Sequence, residues 1–270
     1  MPSPAMSASY VLAALRAREH WLNHDYGPGA EMAARAAEVA LADGDSAAWW
    51  NMTFLQSECL RDQGEFRDCA VRARALSEHE LAAGFPQLRT RALTLLAIAL
   101  QGAGRLDDAI EAAARAAAAA PRDEDAVDLR IQAQRALIAA WAESGRLEDA
   151  WRECRVLGSL ITAAVEEQTA GKAYWVMGNV AFLRNEVEDG QRYHELAGER
   201  LSPGKDLDLW AKFNKASAAM RLGARIADAR TLRCIERAEL ATEVVGGNQE
   251  DRLLLALARA HWNYLTGDSQ

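Results

Sequence analysis

Between Leu93 and Pro121 the chain reads LTLLAIALQGAGRLDDAIEAAARAAAAAP, two apolar stripes separated by a glycine. Leu93, Leu96, Ala97 and Leu100 recur at the spacing of one helical face, Gly104 interrupts, and Ala109, Ala113 and Ala116 form the facing stripe before Pro121 stops it. The pattern predicts two helices folded back on each other. It recurs along the chain: the small residues that open each second helix, Ala30, Cys69, Ala109, Ala150, Gly190 and Ala229, are separated by 39, 40, 41, 40 and 39 residues. Five residues before each stands a turn position, occupied by Asp25, Gly64, Gly104, Gly145, Asn185 and Ala224, mostly types that tolerate a left-handed helix end. Acids follow the turn in GEFRDCA, GRLDDAI, GRLEDAW and NEVEDGQ, where the positive end of a helix dipole favours them.

The predicted architecture is therefore all-α: six hairpins at about 8–42, 46–83, 87–120, 125–165, 170–201 and 206–245, and a seventh first helix at about 249–265. Residues 1–7 read as a loose tail and 8–270 as a single domain. The closing TGDSQ has the form of a turn into a second helix, so Gln249 to Leu265 reads either as a capping helix or as the last element before a cut at a repeat boundary.

The small-residue signature, the hairpin period and the terminal proline resemble the tetratricopeptide repeat. Its usual period is about 34 residues, whereas here it is near 40. The longer unit resembles variants in kinesin light chains and in the sensor domains of bacterial peptide-responsive and signalling regulators. The resemblance implies an α-solenoid of about six and a half hairpins, with a right-handed superhelix and first helices lining a concave groove.

Composition agrees with an all-helical reading, since half the residues are apolar and alanine, leucine, glutamate and arginine fill most windows. The formal charge of −8, from 31 basic and 39 acidic residues without a basic cluster, argues against direct nucleic-acid binding. No apolar run reaches membrane-spanning length and no secretory signal opens the chain, so a cytoplasmic location without membrane contact is expected. Cys59, Cys69, Cys154 and Cys234 fall singly within predicted helices, as reduced core residues would.

Carrying the helical offset of Arg91, Thr94, Ile98 and Gln101 along the chain gives candidate groove residues. They are Arg91; Gln132 and Arg135; Lys172, Trp175, Asn179 and Phe182; Asn214, Lys215 and Arg221, with Asn51, Glu58 and Arg61 as weaker members, and His261 and Tyr264 of uncertain phase. Asparagine can pair with any peptide backbone, Arg and Lys attract carboxylates, and Trp175 can anchor an apolar side chain. Together, and with Asn179 and Asn214 on consecutive first helices, they suit a peptide or partner protein. Most of the eight tryptophans should lie in the core, with one of Trp49 and Trp50 near the surface. His20 and His24 lack a third ligand and read as a surface pair, and no metal or cofactor site is expected. The chain carries no GxSxG, phosphate loop or dinucleotide fingerprint, so an enzyme is not expected. Two readings remain: a peptide-binding adaptor or sensor, in the regulators it resembles linked to an output domain, and an assembly scaffold that dimerises through its C-terminal helix.

Overall fold

The computed structural model describes residues 7–247 and 249–267; residues 1–6 of the expected tail and the end of TGDSQ lie outside the described residues. Among the described residues there is no strand, and the helices are α1 (Ala8–Leu22), α2 (Tyr26–Ala42), α3 (Ser46–Asp62), α4 (Phe66–Glu78), α5 (Glu80–Gly84), α6 (Pro86–Gly102) and α7 (Leu106–Ala119), then α8 (Val127–Glu143), α9 (Leu147–Leu160), α10 (Glu167–Leu183), α11 (Val187–Arg200), α12 (Leu207–Gly223), α13 (Ala229–Val245) and α14 (Gln249–Thr266). They fall into two compact units, Met1–Arg146 and Leu147–Gln270. Within the first, α1 pairs with α2, α3 with α4 and α6 with α7, and α8 packs on both α6 and α7; within the second, α10 pairs with α11 and α12 with α13, flanked by α9 and α14.

The first helix of each hairpin ends at a left-handed residue, at a period of 40 or 41 residues. These residues are His24, Gly64, Gly104, Gly145, Asn185 and Arg225, spaced 40, 40, 41, 40 and 40. The first and last of these correct the expected turn residues by one position, from Asp25 to His24 and from Ala224 to Arg225. The hydrogen bonds explain it: Asp25, Arg105 and Ile226 each donate their amide to a carbonyl five residues back, a closure that requires the preceding residue to be left-handed. Ser7, expected in the tail, instead caps α1 by accepting from the Tyr10 amide at 3.3 Å. His79 interrupts the second hairpin, ending α4 and capping α5 by accepting from the Leu81 amide through Nδ1.

The predicted stripes form the core of the first unit. Leu93, Leu96, Leu100, Ala109, Ala113 and Ala116 are each at most 1 % exposed and join one cluster with Trp50, Phe54, Leu76 and Leu137. Each fully buried leucine contributes about 1.5–3 kcal/mol by leaving water. Trp50 is buried, donating to the Leu76 carbonyl, while its neighbour Trp49 is half-buried. All four cysteines are free; burial pushes the thiols of Cys59, Cys69 and Cys154 up to about 11, 12 and 12.

The last hairpin departs from the ladder of small residues. Ala229 is exposed, and Thr231 takes the inner position, its hydroxyl donating to the Ile226 carbonyl and accepting from Arg221 Nε.

Candidate functional site

Seven residues apart on each first helix lie two positions that the core leaves open: Asn51 and Glu58 on α3, Arg91 and Ile98 on α6, Gln132 and Ala139 on α8. Two turns separate them, so they share one face. In the first unit this face is concave. Arg18, Trp21 and Leu22 from α1, Asn51, Met52, Phe54, Leu55 and Glu58 from α3 and Arg91 from α6 line an open cleft of about 440 Å³.

The cleft has an apolar floor and a charged, polar rim. Arg91 lays its guanidinium over the Phe54 ring at 4.3 Å and near Trp50 at 5.7 Å, so stacking holds its plane while its N–H edge stays available. Burial raises the Glu58 pKa, opposed by the charges of Arg61 and Arg91. Trp21 Nε1 is buried with no hydrogen-bond partner among the described residues. Two arginines, one carboxylate and an asparagine amide thus border a pocket, lined by the Trp21 indole, that can take an apolar side chain. Asn51 and Glu58 looked weaker than Arg91 in sequence, because Thr53 and Gln56 beside them fall in the core; both are indeed buried, yet Asn51 is fully on the open face. Arg18, Trp21 and Phe54 were missed, although Arg18 precedes Glu58 by one repeat of 40.

In the second unit the equivalent open positions are Lys172 and Asn179 on α10 and Lys212 and Ala219 on α12. Asn179 and Asn214 do not form the pair expected from consecutive helices. They are 35 residues apart, five short of the repeat, which turns Asn214 by about 140° relative to Asn179. Asn214 is consequently 1 % exposed and donates through Nδ2 to the Trp210 carbonyl at 2.8 Å. Arg221 is likewise internal: it is 3 % exposed and bound to Asp228 Oδ2 at 2.8 Å and to Thr231 Oγ1 at 3.0 Å.

Arg135, Trp175 and Lys215 occupy a third equivalent position, half-buried on the helix flank. Trp175 meets Phe213 of α12 edge-on at 5.7 Å and Lys215 pairs with Asp251 of α14, so in the second unit this position serves packing between first helices. Burial lowers the Arg135 pKa to about 10.

Asn179 has a second role. Its Oδ1 accepts from His194 Nε2 at 3.0 Å, and His194 Nδ1 accepts from the Ser217 hydroxyl at 3.0 Å, the ring tautomer following from the amide oxygen. Burial holds the His194 pKa down to about 3, so the ring is neutral. The Asn179 amide nitrogen is what remains on the open face. His20 and His24 have separate partners, Asp25 at 2.9 Å and the Tyr26 hydroxyl at 2.6 Å.

No protein-family model matches the chain, and no curated protein does. Solved structures do. The crystal structure of a Rap protein complexed with competence and sporulation factor aligns over 99 % of this chain and 78 % of its own, with a TM-score of 0.66 at 10 % identity. The fold is a tetratricopeptide-like array of helical hairpins. Similarity to BtubC (BKLC) from P. vanneervenii covers 92 % of this chain and 94 % of the other at 17 % identity, with a TM-score of 0.48. A tetratricopeptide repeat protein from Parabacteroides merdae aligns over 94 % and 100 % at 13 % identity, with a TM-score of 0.39. In this tetratricopeptide-like chain the cleft of the first unit is built from the first helices of three successive hairpins, α1, α3 and α6. No helix among the described residues is long and apolar enough to cross a membrane.

Proposed function

We propose that the chain is a peptide- or protein-binding module, a cytoplasmic adaptor or sensor without catalytic activity of its own. The observation that carries this reading is the open cleft of about 440 Å³ in the first unit, whose rim repeats at equivalent positions of α1, α3 and α6. An extended peptide would place an apolar side chain on Trp21, Met52 and Leu55. Asn51 would pair with its backbone, and Arg91 with Arg18 would take a carboxylate from an acidic residue or the C-terminus. In the second unit Lys172 stands at the position equivalent to Arg91, and Asn179, its oxygen held by His194, keeps its amide N–H for a ligand. The Rap protein of the same fold was crystallised in complex with competence and sporulation factor, which supports a ligand-sensing role.

A display library of random peptides, selected on the full chain and followed by affinity titration of the enriched sequences, tests this. Enriched peptides should share an acidic group near an apolar residue and bind Asn51→Ala/Arg91→Ala at least about tenfold more weakly. Equal affinity for the double variant would remove the cleft from the account.

A second reading is favoured by α14, where Leu253, Leu254 and Leu257 are exposed while Leu255 is buried. We infer that a second copy of the chain could cover this face, a homodimer through the C-terminal helix. In light scattering, Leu253→Glu/Leu257→Glu should then convert a dimer into a monomer; a concentration-independent monomer for the parent chain sinks the idea.

A further inference from the structure

On the second unit, a cavity of about 350 Å³ opens between α11 and α13 over a floor supplied by α12. The floor residues Phe213, Asn214, Ser217 and Arg221 are each at most 4 % exposed. Two of the three polar ones are fully engaged: Ser217 donates to His194 and accepts from the Cys234 thiol, and Arg221 is bound by Asp228 and Thr231. Asn214 is not. Its Nδ2 is committed to the Trp210 carbonyl, but Oδ1 is buried and has no donor among the described residues. A buried carbonyl oxygen without a donor is rare in folded proteins and calls for a partner that reaches it.

The walls carry opposite charges that do not meet. On α13, Arg233 forms no ion pair among the described residues and Arg237 faces the Trp210 ring at 5.7 Å; on α11, Glu199 has no cationic partner among them, whereas Glu195 and Arg230 are bound to each other. Gly198, between the two glutamates, keeps that wall clear: a Cβ there would sit 3.5 Å from the Phe213 ring, an ordinary contact. The cavity therefore presents two cationic groups on one side, an anionic group on the other, and an unmet acceptor at the bottom.

We propose that this cavity binds a small zwitterion of amino-acid or dipeptide size. Its carboxylate is held by Arg233 and Arg237, and its ammonium by Glu199 and Asn214 Oδ1. A simple anion would leave Glu199 repelling it and Asn214 unmet; a simple cation would face the two arginines. The volume suits a molecule of this class. The site is separate from the cleft in the first unit, and either could exist without the other.

Calorimetric titration of the full chain with each proteinogenic amino acid and with diglycine, to about 10 mM, tests the assignment. At least one should bind more tightly than about 1 mM, at least about tenfold more weakly to Arg233→Gln and to Glu199→Gln, and not to Gly198→Leu, which fills the space. The substituted residues are exposed, so unchanged unfolding temperatures report intact folds. N-acetylated and carboxamide forms of the ligand should not bind. Absence of binding by every probe, equal affinity in the variants, or equal affinity for the blocked forms overturns the proposal.

Discussion

Three residues, His24, Arg225 and His194, carry a strain or charge cost. His24 and Arg225 hold φ of 59° and 60° where three equivalent turns use glycine. A side chain at such a φ costs about 1–2 kcal/mol, partly offset by the extra freedom glycine loses on folding. Arg225→Gly should therefore raise stability by about 0.5–1 kcal/mol, read as a higher denaturant midpoint at unchanged slope; a lower midpoint would show that the Arg225 side chain contributes more than its backbone costs. His194 makes stability pH-dependent. Its folded pKa of about 3 lies below the unfolded value of 6.5, so below pH 6.5 the unfolded chain binds the extra proton. The stability present above that pH is lost as pH falls toward 3, at up to about 1.4 kcal/mol per pH unit. His194→Gln, able to keep one of the two side-chain hydrogen bonds, should flatten the curve between pH 6 and about 4. An unchanged slope would mean that the buried ring does not govern acid sensitivity.

Among elements, α10 and α11 cross closely. A Cβ on Gly178 would stand 2.2 Å from His194 Cδ2, and one on Gly190 2.7 Å from the Phe182 ring. Both helices gain their close approach from these glycines, so Gly178→Ala should destabilise by about 1–3 kcal/mol through overpacking, seen in thermal unfolding; a neutral effect would require His194 to have another rotamer available. At this scale the sequence was informative because packing imposes the period. Small residues and turn glycines recur wherever two helices must meet, and hairpin limits follow to within a few residues. What it could not show was helical phase in the less regular repeats. Asn214 resembles Asn179 as a residue but stands five positions short of the repeat, and Arg221 looks like a surface arginine until Asp228 and Thr231 fold against it. Equivalence by the turn residue, rather than by chemical type, selects Lys212 and Ala219, adds Arg18, and places Asn51 on a level with Arg91.

For the molecule as a whole, a tetratricopeptide-like architecture has been spent on two different kinds of surface. In the first unit, equivalent positions of successive first helices leave a cleft with stacked arginine, asparagine and carboxylate at its rim. In the second, a polar cavity lies between second helices above buried Asn214. Neither kind of surface follows from the hairpin repeat itself, whose packing needs only the apolar stripes, the small residues and the turns. If the cleft holds a peptide, Arg91 pairs with a carboxylate of that peptide. The most direct test is a charge-swap cycle, in which a peptide selected by display is titrated against the parent chain and Arg91→Glu, each with the peptide's acidic residue intact or replaced by lysine. Either single change should weaken binding at least about tenfold, and the combination should recover most of the loss, a coupling of about 1.4 kcal/mol or more. Additive losses, with no recovery in the doubly reversed pair, would contradict the assignment of the cleft as the peptide-binding site.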